Sequence, residues 1–139
     1  WHFSQKWSPE ALENTTLAQF VSDYADAWRS RVTQAREFGN AHPGRLLEIR
    51  YEALHASPEA EVKRLLEFIE VASGPDFINS CLEAGSFEAL SGGRIRGDED
   101  QNSFFRKGVV GDHKEYFDKD AFNAFEEAAG PLLRELNYD

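Results

Sequence analysis

The sequence contains no methionine, a single cysteine and no apolar stretch longer than a few residues. Each absence removes a class of answer. One thiol, Cys81, rules out an internal disulfide, and no cysteine or histidine spacing fits a metal site. A membrane-spanning helix needs about 20 apolar residues in succession, and nothing approaches that; the first residues also lack a signal-peptide pattern. The expectation is a chain with no metal and no membrane, in a reducing, cytoplasmic compartment. Basic charge is scarce too: 15 Lys and Arg stand against 25 Asp and Glu in 139 residues, a net −10. Duplex binding requires a basic surface to displace condensed counterions, so nucleic acid is excluded as a partner. Because a complete translation product ordinarily opens with methionine, the chain is expected to be part of a longer protein.

What is present describes one folded domain over residues 1–139, with 41% hydrophobic and 13% aromatic residues to build a core. Leu17, Phe20, Val21, Tyr24, Trp28, Val32, Ala35 and Phe38 recur at three and four, which predicts an amphipathic helix over 16–38. Thr16 with Gln19 has the form of a capping box at its start. After Gly39-Asn40 and His42-Pro43-Gly44, Leu47, Ile49 and Tyr51 alternate, which predicts a strand over 45–51. Ser57-Pro58 opens a second helix, from 58 to about 71, and a third is expected from 75 to about 84. Asp118 caps a last helix that Gly130-Pro131 should interrupt. One strand is not a sheet. Either the domain is all-α with a stray extended segment, or the strand belongs to a sheet whose other strands lie outside this sequence; the missing methionine favours the second.

Residues 85–117 form the long loop of the chain, broken by Gly85, Gly92, Gly93, Gly97, Gly108 and Gly111. Loops longer than about 15 residues inside compact domains are usually functional. From Arg94 to Lys114 the local balance is +1 in a chain of −10, and 104–111 alone carries +2 with no acid. Arg106-Lys107-Gly108 sets a planar fork, a point-charge ammonium and a closely approachable backbone side by side, which suits a phosphate. Gly108 and Gly111 let neighbouring N–H groups turn inward as an anion nest.

Phe105 to Lys114, read Phe-Arg-Lys-Gly-Val-Val-Gly-Asp-His-Lys, resembles the Arg-Lys-Gly-x-x-Gly-Asp-Trp-Lys signature of sulfotransferases that use 3′-phosphoadenosine 5′-phosphosulfate (PAPS). Leu-Leu-Glu-Ile-Arg-Tyr-Glu-Ala-Leu from Leu46 to Leu54 is similar to the family's strand ending in Tyr-Glu-Asp-Leu. Ser86-Phe87-Glu88 with Leu90 resembles its Thr-Ser-Phe-Glu-x-Met segment, and Trp28 falls at its Gly-Ser-Trp tryptophan. The resemblance covers essentially all 139 residues and the C-terminal half of the family's domain. It implies an α/β class: a three-layer fold like that of P-loop nucleotide hydrolases, with a parallel sheet. This segment would supply mostly helices, one strand and the long cofactor-binding loop.

By the same resemblance Arg106, Lys107 and Gly108 hold the 3′-phosphate, Phe87 stacks on the adenine and Tyr51 bonds its edge, with Ser86 beside them. Phe104 and Phe105 either line that pocket or pack the loop. Trp7, Tyr24 and Trp28 form part of a wall for a small-molecule acceptor, a hydroxyl or an amine. No catalytic residue is expected here: the phosphosulfate loop and the acceptor-activating base have no counterpart, and the four histidines, His2, His42, His55 and His113, read as ordinary surface or packing residues. His113 stands at the signature's tryptophan, Gly85 at a threonine, and residues 114–123 lack part of the family's dimer signature. The competing reading is a non-catalytic helical module for nucleotide binding or protein interaction.

Overall fold

A computed structural model describes residues 2–72 and 74–138, the side chains of residues 2, 3 and 7 excepted. The described residues form helices and connections, in two compact units: residues 1–43 with 112–139, and residues 44–111.

In the first unit, α1 (His2–Trp7) and a 3-10 turn (Pro9–Leu12) precede α2 (Leu17–Ala41), which packs along α7 (Lys119–Glu135). Side chains at three and four spacing bring Val21 and Ala25 of α2 into a core with Ala121, Ala129 and Leu132 of α7. The three alanines let the two backbones approach closely. Thr16 caps α2 by accepting from the Gln19 N–H at 3.2 Å, but the Gln19 amide donates to Asp23 at 2.9 Å instead of returning, so half of the expected box forms. Asp118 caps α7 as its position suggests, accepting from the Ala121 N–H at 2.8 Å. The expected interruption at Gly130-Pro131 does not occur, and α7 runs through to Glu135. Proline in a helix interior costs about 3 kcal/mol; burial of Ala129, Gly130 and Leu132 on either side offsets it.

In the second unit, α3 (Tyr51–Ala56), α4 (Pro58–Phe68), α5 (Pro75–Ala84) and α6 (Phe87–Ser91) pack each on the next or through α4, around Leu66, Ile78 and Phe87. Glu61, the buried acid, is held by Arg64 at 2.5 Å. Helix α4 stops at Phe68, short of the expected 71, because Glu70 turns left-handed at φ +58° and the Val71 N–H folds back to the Leu66 carbonyl at 2.9 Å. The expected loop over 85–117 is shortened at both ends, by α6 and by a 3-10 turn, Asp112–Glu115.

The α/β expectation is corrected here. Among the described residues there is no strand, and residues 46–50 belong to no helix or ladder before Tyr51 opens α3. A strand exists by pairing its N–H and C=O groups with a neighbour, and no second strand is present among the described residues to pair with. The alternation of Leu47 and Ile49 marks two half-buried side chains on an irregular lead-in, with Arg50 as the extended N-cap whose carbonyl accepts from the Leu54 N–H at 3.0 Å.

Candidate functional site

In the glycine-rich segment of the second unit one side chain gathers three backbone carbonyls. Arg94 donates through Nη2 to the Phe105 carbonyl at 2.5 Å and through Nη1 to those of Arg106 at 3.1 Å and Asp98 at 2.9 Å. Its own backbone is tied to Ser91, whose hydroxyl bonds the Arg94 N–H and C=O at 3.2 and 3.1 Å. Two backbone bonds, from the Gly97 N–H to Lys107 at 2.9 Å and from Asp100 to Arg106 at 3.0 Å, lay residues 97–100 against 106–107.

The sequence-based candidates collect around this turn to different degrees. Gly108 adopts φ +67°, and a Cβ there would lie 2.6 Å from Cε2 of Phe87, so its backbone rests against that ring. The Arg94 guanidinium sits 5.4 Å over the same ring. Phe87 is therefore 9% exposed, which leaves little of its face for a base. Ser86 is the N-cap of α6, accepting from the Ala89 N–H at 3.1 Å. Arg106 forms an ion pair with Glu99. Phe104 is 81% exposed and meets Phe105 edge-on at 5.3 Å, so Phe105 is the half-buried member of the pair.

Tyr51 approaches by another route. At the first turn of α3 its ring lies 4.3 Å from that of His55, and His55 Nδ1 is 2.9 Å from Nη1 of Arg96. A guanidinium only donates, so Nδ1 accepts and the imidazole is neutral with its proton on Nε2. Burial, then the Arg96 charge, lower the His55 pKa, against an opposing pull from Glu52.

The acceptor candidates lie in the first unit. Tyr24 and Trp28 line an apolar groove of about 430 Å³ with Leu17, Phe20, Phe117 and Phe125. Tyr24 stacks on Phe20 at 4.2 Å, and Trp28 faces Phe125 at 6.5 Å. The Trp7 side chain lies outside the described residues. His113 meets Phe117 at 5.6 Å and Phe122 at 6.2 Å, both edge-on, as a packing aromatic.

Sequence reasoning missed Arg94 and Glu99 as site residues. Apart from the Asp98 carbonyl four residues from Arg94, their partners are 11 or 12 and seven positions away, beyond the reach of any local pattern; the charge count over the loop was the one signal that included both.

The sequence profile described as the sulfotransferase domain matches residues 1–137. This chain belongs to the sulfotransferase family. The sulfotransferase chain is 33% identical over 136 residues to "Cytosolic sulfotransferase 1" of Arabidopsis thaliana, covering 84% of this chain and 40% of that relative. It is 36% identical over 114 residues to "Cytosolic sulfotransferase 9" of the same plant, covering 73% and 30%. With "Sulfotransferase 1B1" of Mus musculus it shares 28% over 100 residues, 66% and 33% of the two chains. The chain thus spans well under half the length of these relatives. No solved structure gives a significant match. Among the described residues of this sulfotransferase chain, no helix is long and apolar enough to cross a membrane, and no cluster of His, Cys, Asp or Glu could hold a metal ion.

Proposed function

We propose that this chain forms the nucleotide-binding, C-terminal part of a cytoplasmic enzyme that transfers a sulfuryl group from PAPS to an acceptor hydroxyl or amine. The observation that carries the reading is the Arg106-Lys107-Gly108 turn: two cations and a left-handed glycine, held in shape by Arg94. PAPS supplies the sulfuryl group and leaves as 3′-phosphoadenosine 5′-phosphate. A phosphate fits this turn by its chemistry. The Arg106 fork already binds one oxyanion, the Glu99 carboxylate, and offers the same donors to a phosphate. Lys107 adds charge without a fixed direction. Gly108, left-handed at φ +67°, lets the backbone turn while resting directly against the Phe87 ring, where a Cβ would collide.

The remaining residues frame the base. Phe87 and Ser86 border the adenine, Phe104 and Phe105 extend an aromatic rim, and Tyr51 offers a phenol to its edge. Tyr24, Trp28 and Trp7 are the proposed acceptor wall, where an aromatic groove excludes water from an apolar acceptor. Metal plays no part in this reading, and the residues nearest sulfur come from outside this chain. The contribution of this chain to catalysis is then positional: the turn holds the nucleotide by its 3′-phosphate and so fixes where the 5′-phosphosulfate lies.

Binding of two nucleotides tests it. Arg106→Ala should weaken 3′-phosphoadenosine 5′-phosphate by about 1.5 to 3 kcal/mol, the range for hydrogen bonds to charged groups, and leave adenosine 5′-phosphate almost unchanged. Equal losses by calorimetry would remove the 3′-phosphate from this turn.

A further inference from the structure

Consecutive carbonyls along an extended chain point to opposite sides. Those of Phe105 and Arg106 do not: both accept from the single guanidinium of Arg94, at 2.5 and 3.1 Å. In a trans peptide the N–H points opposite to the C=O of its own plane. The N–H groups of Arg106 and Lys107 are therefore turned together toward the side away from Arg94. Gly108 follows in the left-handed region at φ +67°, and its own plane is set by the Lys107 carbonyl, which accepts from the Gly97 N–H at 2.9 Å. Successive N–H groups ending at a left-handed residue make an anion-binding concavity.

We propose that Arg94 is the positioning residue of the phosphate-binding turn: its fork gathers the Phe105 and Arg106 carbonyls on one side and thereby presents the Arg106 and Lys107 N–H groups to a nucleotide 3′-phosphate on the other. The inference rests on the nucleotide reading above. Arg94 makes this possible because it is itself anchored, by the Ser91 hydroxyl at its backbone and by the Phe87 ring beneath its guanidinium. A planar, five-donor group is required. An ammonium carries the charge without the two parallel directions that hold consecutive carbonyls.

The test compares affinities of the chain for 3′-phosphoadenosine 5′-phosphate and adenosine 5′-phosphate by calorimetry. In Arg94→Gln the ratio between the two should fall at least about tenfold, as for loss of hydrogen bonds to a charged group. Arg94→Lys should not restore it. A variant that loses affinity for both nucleotides alike, or a lysine variant with the full ratio, overturns the positioning role. Should these variants fail to fold, amide spectra of the unaltered chain decide: the Arg106 and Lys107 N–H resonances should move downfield with the 3′-phosphorylated nucleotide and not with adenosine 5′-phosphate, and fixed resonances overturn the inference. If the unaltered chain does not distinguish the two nucleotides at all, the functional reading itself fails, which separates that outcome from a failure of Arg94 alone.

Discussion

The Glu99 carboxylate holds the Arg106 guanidinium in an ion pair, with 20% of the arginine side chain and 28% of the glutamate side chain exposed. An acid seven positions upstream thus occupies the fork that the proposed phosphate needs. Both cannot take the same donors, so nucleotide binding includes the cost of releasing Glu99. Glu99→Gln removes the competing charge while keeping the side-chain size. It should tighten 3′-phosphoadenosine 5′-phosphate by about three- to tenfold, the scale of a partly exposed ion pair, and leave adenosine 5′-phosphate unaffected. Unchanged calorimetric affinity would show that the two anions do not compete.

Gly108 and Gly111 separate backbone strain from close approach. Both lie in the left-handed region, at φ +67° and +77°, but a Cβ at Gly111 meets nothing within 4 Å while one at Gly108 runs into the Phe87 ring. Alanine at either position costs roughly 1 to 2 kcal/mol for the left-handed backbone. At Gly108 the collision adds about 1 to 3 kcal/mol of overpacking. Urea unfolding should therefore find Gly108→Ala the less stable of the two; equal midpoints and slopes would mean that the ring yields freely.

The outcome of sequence reasoning follows the range of the forces involved. Helix α5 was legible at both ends, Pro75 to Ala84, and α2 and α7 at their caps, because a hydroxyl or carboxylate capping an N–H three residues on is a local event. The strand over 45–51 was misread because period two reports only which side chains are half-buried, whereas a strand is made by a partner elsewhere. Pro131 was misread for the converse reason: its local cost is real, and distant packing against α2 overrides it. The Arg106-Lys107-Gly108 turn was visible as charge and glycine. Its scaffold was not, since nothing within a few residues of Arg94 shows that its fork ends on carbonyls 11 and 12 positions away.

Glu70 ends α4 in a conformation that suits glycine. At φ +58° its Cβ crowds the following carbonyl, and the side chain forms no hydrogen bond that offsets this among those described. Glu70→Gly relieves about 1 to 2 kcal/mol of left-handed strain. The greater freedom of glycine in the unfolded chain returns about 0.4 to 1 kcal/mol of it. A net gain in stability of about 0.5 to 1 kcal/mol is expected, read as a higher thermal midpoint. A lower midpoint would mean that the helix end does not hold this turn in solution.

His55 gives the second unit a dependence on pH whose sign is fixed by its surroundings. Burial first, and the Arg96 charge second, lower its pKa from the ordinary 6.5, with Glu52 opposing. The folded state therefore takes up the proton less readily than the unfolded chain. The contribution of neutral His55 is complete above the unfolded value and is lost as pH falls from there toward the folded one. Protonation at Nδ1 also breaks the 2.9 Å bond from Arg96 and places two cations together. Acidification through this window should loosen the link from Tyr51 and His55 to the glycine-rich loop, and His55→Gln should flatten that part of the stability profile. Proton NMR of the imidazole provides the direct check. Arg96→Gln should raise the His55 titration midpoint, and a midpoint at or above 6.5 in the unaltered chain would refute the assignment.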